Sequence, residues 1–286
     1  MSTNVHPSAV VEKGAELADG VTVGPFAYVG AHVKLGKGTV VMNHATIDGH
    51  TELGEGNVVY PYASVGTQPQ DLKYKGEPTQ LKMGHRNRVR EFATVNIGTV
   101  TGGGLTTVGD ENLIMATAHI AHDCHVGSRC VLTNAALLAG HVTLEDYVIL
   151  GGASAIHQFV TVGAHVIVQA GSMIGRDVPP FMIAAGRGGS AGLYGLNSIG
   201  LRRRGFTSEQ RMAMKRAYRI AFRESKKPAD AVGRLETEFK DSKEAQQIAA
   251  FIKASKRGVL LDGGRLKKKA NRGAGDPAEG TGDDKD

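Results

Sequence analysis

The sequence predicts an all-β solenoid, a parallel β-helix of hexapeptide repeats, followed by a small α-helical C-terminal domain. Three observations carry this reading. Aliphatic residues recur at every sixth position, the rhythm stops at Asp177-Val178-Pro179-Pro180, and helix-capping signals follow the stop.

The hexads run without a miss from Val5 through Val11, Leu17 and onward to Val65. They resume at Met83, Val89 and Val95, slip by one residue, and run again from Val108 to Ile174, giving 26 repeats. Six residues are too few for a helical hairpin and suit one short strand plus a turn, with each aliphatic side chain pointing inward. The fifth residue of nearly every repeat is small or β-branched, as at Ala9, Ala45, Thr51, Ala118, Cys124, Cys130 and Val148, which fits a crowded corner beside the core. Asn57, Asn87 and Asn112 fall in the same slot, where Asn suits a left-handed backbone. If three repeats close one turn, residues 18 apart stack at about 4.8 Å, and the prism is about 40 Å long.

Composition agrees. The 286 residues include 39 glycines, no tryptophan and 5% aromatics, as a thin aliphatic core allows. No apolar run of 18 residues and no basic-then-apolar start is present, so a cytoplasmic protein with no transmembrane segment is expected. Cys124 and Cys130 read as structural.

Residues 1–190 are assigned to the β-helix and 191–262 to the helical domain, in which Thr207 with Gln210, Pro228, and Asp241 with Glu244 mark helix starts. The tail, residues 263–286, is poor in apolar side chains, with Leu266 its one large aliphatic, and is expected to be disordered. Residues 201–286 carry 22 basic and 13 acidic side chains, against 12 and 15 in residues 1–200, so the pI of about 9.3 belongs to the helical end. Without aromatic interleaving or a nucleic-acid motif, an acidic protein or a phosphate ligand is the expected partner, and no nucleic acid.

Two segments break the rhythm, and interruptions of a solenoid become loops on one face. Residues 67–82 contain Gln70, Asp71 and Lys73; residues 101–107 contain Gly102-Gly103-Gly104, read as a flexible loop rather than a phosphate cradle. His122, His141 and His157 lie in repeats that begin 18 residues apart, so they are expected on one edge of three successive coils, with His119 around the preceding corner. His125 and His165 fall off this ladder and read as surface or packing residues. Three clustered histidines also admit a zinc site of the kind found in β-helical carbonic anhydrases; the differing repeat positions argue for rings at different heights, against the convergence that Zn–N bonds of about 2.1 Å require.

The segments AHIAHDC (118–124), AGH (139–141), HQF (157–159), PQDLKY (69–74), GTV-x-GGGLT (98–106), RDVPP (176–180) and RRRGF (202–206) resemble the hexapeptide-repeat UDP-N-acetylglucosamine 3-O-acyltransferases of lipid A biosynthesis, over residues 1 to about 262. The resemblance implies a left-handed β-helix, a homotrimer with its sites between subunits, and transfer of a 3-hydroxyacyl group from acyl carrier protein to the sugar's 3-hydroxyl. It implies His122 as general base, Asp123 as its orienting carboxylate and the Gly140 N–H as oxyanion donor, with no cofactor. Gln70, Asp71, His119, His141 and Gln158 match sugar and acyl contacts, and Lys73 lies by the acyl group. His157 and Asn197 match nucleotide-side positions, Arg203 and Arg204 match diphosphate contacts, and Ala170 matches the position that sets acyl length, implying an intermediate or long chain. The helical domain's basic surface would meet the acidic carrier protein. The chain departs from the family pattern at Ile199 and at Gly188-Gly189. Alternatives are the sibling N-acyltransferase, which carries an additional N-terminal domain, an enzyme using a 3-amino sugar, and a noncatalytic scaffold.

Overall fold

The computed structural model describes residues 2–264; the expected disordered tail lies outside these, apart from Gly263 and Gly264. Each of the 26 hexads forms one short strand, from Asn4–Val5 to Met173–Ile174. Strands three apart in sequence pair in parallel, which builds three sheets around a triangular left-handed β-helix. The ladder keeps its register from coil to coil, with one shift between Val65 and Thr67 where the first loop leaves: Val41 pairs Val23, Ile120 pairs Val95, and Leu138 pairs both Ile120 and Ile156. The hexad aliphatics are fully buried from Val23 to Ile174 and form the core. Except across the two inserted loops, where paired residues are 30 or 25 apart, 18 residues return the chain to the same place one coil higher, so each side chain of the prism sits in a column with its counterparts above and below.

The corners explain the rest of the repeat. The fourth residue of most coils adopts positive φ, including Phe26, His44, Tyr62, Asp123, His141 and Phe159. This turns the chain by about a third of a circle and throws these side chains outward along the edges. The third residue needs no ladder N–H, and Pro7, Pro25 and Pro61 occupy it.

The asparagines of the fifth position do something other than expected. None has positive φ; the left-handed residue is the one before, Gly56, Arg86 or Glu111. Instead they form a buried ladder. Asn57 Oδ1 accepts from Asn87 N and Nδ2, Asn87 Oδ1 from Asn112 N and Nδ2, and Asn112 Oδ1 from the Cys130 N–H. The side-chain amide supplies both a donor and an acceptor to a stack whose neighbours repeat it.

Both interruptions leave the prism and return to it. The first departs after Thr67 and rejoins at Gln80, where Gln80–Met83 pairs with His50–Leu53. The second departs after Asn96 and rejoins at Leu105. After the last coil, strands Met182–Ala185 and Gly192–Leu196 pair antiparallel on one sheet. Among the described residues four α-helices follow: α1 (Ser198–Arg203), α2 (Ser208–Arg219), α3 (Val232–Glu238) and α4 (Lys243–Ala254). The Thr207/Gln210 capping box is present, and Pro228 opens a single turn ahead of α3. Ser242, not Asp241, caps α4, because its Oγ reaches the Ala245 N–H at 3.3 Å. Helix α1 has no apolar periodicity to announce it; Asn197 starts it by accepting from the Gly200 N–H. Residues beyond α4 bridge back to the solenoid at Asp177 and Leu193.

Candidate active site

The two inserted loops meet at the corner where His122 and Asp123 turn the chain. His122 Nδ1 lies 2.8 Å from Asp123 Oδ2, and both residues are buried. A carboxylate only accepts, so this contact puts a proton on Nδ1 and leaves the Nε2 lone pair free. Asp123 is itself gripped by the second loop: the Thr99 N–H donates to Oδ1 at 2.9 Å and Thr99 Oγ1 to Oδ2 at 2.6 Å, while the Asp123 N–H donates to Thr106 Oγ1.

The 18-residue rule, applied to position within the repeat, orders the site. His122, Gly140 and Gln158 form one column; Asp123, His141 and Phe159 form the next. His141 Nδ1 is 3.8 Å from Asp123 Oδ2, its ring meets His122 edge-on at 5.1 Å, and it stacks on Phe159 at 4.3 Å. Burial lowers the His141 pKa, opposed by the Asp123 charge. Among the described residues the Gly140 N–H has no acceptor, as its corner slot permits.

A cleft of about 780 Å³ opens here, lined by Gln70, Asp71 and Lys73 of the first loop, by His122 and His141, and by Gln158. Leu72, at the tip of that loop, is fully exposed. The structure therefore brings together most of the residues expected from sequence, with one correction to the ladder. His157 does not rise with His122 and His141. It is the second residue of its repeat, stands above Ala139 and Ala121, and is exposed, with Nδ1 3.4 Å from an Arg257 guanidinium nitrogen. His119 is half-buried beside the site; Thr94 Oγ1 lies 2.7 Å from its Nδ1, and burial followed by the His122 charge lowers its pKa. The metal alternative is altered too: the converging set is His122, Asp123 and His141, with ligand atoms within 4.8 Å of one another, two histidines and a carboxylate rather than three histidines.

A second cleft, about 710 Å³, lies where the helices join the prism, lined by Ile167, Leu196, Asn197, Ile199, Arg203 and Arg204 among others. Asn197 is buried and committed, donating to the His165 carbonyl while it caps α1. Arg203 is exposed. Arg204 lies 5.1 Å over the Tyr147 ring and donates to the Tyr147 carbonyl; its Nη1 is buried without a partner among the described residues. Ala170 is exposed on a different edge, against Gly151.

Sequence reasoning missed Thr99, Thr106 and Phe159. Phe159 was within reach of the column arithmetic; Thr99 was hidden because a loop outside the repeat has no column.

The chain matches known proteins along nearly its full length. Residues 177–260 match the family described as UDP-N-acetylglucosamine O-acyltransferase, domain 2. Over 256 residues it is 52% identical to the acyl-[acyl-carrier-protein]–UDP-N-acetylglucosamine O-acyltransferase of Thiobacillus denitrificans, covering 90% of this chain and 98% of that one. The protein of the same name from Alkalilimnicola ehrlichii is 55% identical over 258 residues, covering 90% and 99%. Among solved structures, the UDP-N-acetylglucosamine acyltransferase of Campylobacter jejuni superposes with a TM-score of 0.85 at 38% identity, covering 90% of this chain and 99% of that one. That of Francisella novicida gives 0.86 at 37%, covering 90% and 94%. With half its residues identical over nine-tenths of its length, and with the same fold, the chain belongs to the acyl-[acyl-carrier-protein]–UDP-N-acetylglucosamine O-acyltransferase family.

Proposed function

We propose that the protein transfers a 3-hydroxyacyl group from acyl carrier protein to the 3-hydroxyl of UDP-N-acetylglucosamine, the opening step of lipid A synthesis, with His122 as general base. The observation that carries the assignment is the buried His122–Asp123 pair, 2.8 Å apart, beside the unengaged Gly140 N–H.

A sugar hydroxyl attacks a thioester only as its proton is removed, and a neutral imidazole oriented through its other nitrogen is suited to that. The sugar oxygen bonds to the thioester carbonyl carbon while its proton passes to His122 Nε2. The carbonyl oxygen becomes an oxyanion, to which the Gly140 N–H is assigned as donor. Collapse of the intermediate breaks the C–S bond, and the imidazolium returns the proton to the leaving sulfur. These steps use only groups of the chain and its substrates, so no metal or cofactor is required. Gln70, Asp71, His141 and Gln158, which line the same cleft, are assigned to sugar and acyl contacts, with His119 beside them and Lys73 by the acyl group.

Arg203 and Arg204 lie at the second cleft, where guanidinium groups suit phosphate oxygens, and Asn197 and His157 are assigned to the nucleotide side. Ala170, a methyl-bearing residue, is assigned to acyl-length selection and favours an intermediate or long chain. We assign the enzyme to a homotrimer whose sites form between copies; the cleft beside the first loop is open to solvent on the side a second copy would cover. No described helix is long and apolar enough to cross a membrane, and we assign the enzyme to the cytoplasm.

The deciding experiment offers UDP-N-acetylglucosamine with a panel of 3-hydroxyacyl carrier proteins and identifies the product by mass. An ester at the 3-hydroxyl, lost on the order of a hundredfold or more in His122→Ala, is expected. Normal turnover by that variant removes the base assignment.

A further inference from the structure

The second loop, residues 97–104, builds a cradle for one side chain. Thr99 and Gly102 both close on Asp123. The Thr99 N–H and hydroxyl donate to the two carboxylate oxygens at 2.9 and 2.6 Å, and Thr99 is buried. On the other side, the Gly102 backbone lies so near that a Cβ there would stand 2.0 Å from Asp123 Cγ and 2.1 Å from Oδ2. A Cβ at Gly98 would stand 2.9 Å from Oδ1. The Gly102 φ is not positive, so glycine is needed there for space and not for conformation.

We propose that Thr99, backed by Gly102, is a positioning residue that sets the orientation and charge of Asp123 and through it the basicity of His122. Oδ2 is the shared atom: it takes the Thr99 hydroxyl on one side and faces His122 Nδ1 on the other. Each donor to that oxygen disperses part of the carboxylate charge, and so moderates how strongly Asp123 holds the imidazolium. The two-point grip from Thr99 also prevents rotation about the Asp123 side chain, which would swing Oδ2 toward His141 Nδ1, already 3.8 Å away. Thr99 touches neither reacting atom and acts only through Asp123. The inference rests on the reading of His122 as the base.

The test uses the full-length enzyme with UDP-N-acetylglucosamine and a 3-hydroxyacyl carrier protein. Thr99→Val keeps the shape and the backbone donor and removes only the hydroxyl. Its kcat is expected to fall about tenfold, because Asp123 held at one point can rotate and lets the imidazole leave its productive orientation, with KM for both substrates within about twofold. Its carboxylate, short of one donor, holds the imidazolium more tightly, so the ascending limb of the kcat/KM profile moves to higher pH. Thr99→Ser, which restores the hydroxyl, is expected within about threefold of the parent, with the parental limb. Gly102→Ala, which displaces the carboxylate from the opposite side, is expected to lower kcat without raising KM. A Thr99→Val enzyme with parental kcat and an unmoved limb overturns the inference while leaving the base assignment standing. A His122→Ala enzyme with normal turnover removes both.

Discussion

Gly140 backs directly onto the His122 ring: a Cβ at residue 140 would lie 2.5 Å from Cε1 and 2.8 Å from Nε2. The two residues share one column of the prism, 18 apart, so the bare backbone of one coil forms the wall against which the imidazole of the coil below is held. A Cβ there would occupy the side of the ring that bears the free nitrogen.

Gly140→Ala therefore tests the site without testing the fold. Gly140 does not have positive φ, so alanine meets no backbone strain; it meets the ring. The imidazole must turn away from Asp123, and kcat is expected to fall on the order of a hundredfold. The melting temperature should stay within a few degrees of the parent's. A variant with parental kcat would show that the ring has room to spare.

The asparagine ladder makes a contrasting prediction about stability. Asn87 is the central rung: its Oδ1 accepts two bonds from Asn112, and its own N–H and amide both donate to Asn57. Asn87→Ala leaves buried donors and acceptors on both neighbours unpaired, at a cost of about 2 to 3 kcal/mol in urea unfolding. Turnover by the folded fraction should be unchanged, because the ladder runs inside the prism, away from the cleft. An unaltered unfolding midpoint would mean that water satisfies those groups.

These two cases mark what the sequence displayed and what it concealed. The hexad count located every strand of the prism, because a core one aliphatic wide forces one apolar residue per repeat. Counted from repeat starts, the same period groups His122, His141 and His157. Laid on positions within the repeat, it separates His157, above Ala139, from His141, which stands between Asp123 and Phe159. Asn57 shows another limit: side-chain amides suit both a left-handed corner and a buried ladder, and composition does not choose between them. Thr99 was illegible for a third reason. A loop outside the prism obeys no period, so the residue it returns to the site follows only from its fold.

Arg203 and Arg204, adjacent in sequence, are expected to fail differently when replaced. Arg204 is half-buried over Tyr147 and bonded to its carbonyl, so Arg204→Ala should cost about 1 to 2 kcal/mol of stability as well as substrate affinity. Arg203 is exposed, and Arg203→Ala should raise KM for the sugar nucleotide about tenfold with no change in melting temperature. Parallel measurement of KM and thermal unfolding in the two variants separates these outcomes. Equal melting temperatures would mean that the Tyr147 contact contributes nothing to the fold.

His165 makes the fold sensitive to acid. Its ring is stacked between Tyr147 at 4.7 Å and Phe181 at 5.7 Å, with Phe206 edge-on at 5.1 Å. Burial, reinforced by the neighbouring Arg204 charge, lowers its pKa from 6.5 to about 4. In the unfolded chain the imidazole takes a proton as pH falls through its ordinary value, whereas in the fold it stays neutral until about 4. The unfolded state therefore binds more protons across this window, and stability declines as pH falls from 6.5 toward 4. Above 6.5 neither state holds the proton and the contribution to the slope vanishes. At one pKa unit per about 1.4 kcal/mol, the loss by the bottom of the window is on the order of 3 kcal/mol. His165→Phe keeps a ring in the stack and removes the titration, so its unfolding free energy should fall less steeply than the parent's between pH 6.5 and 4. Denaturant unfolding of both proteins across that range reads the difference directly, and identical slopes would mean that another group carries the acid sensitivity.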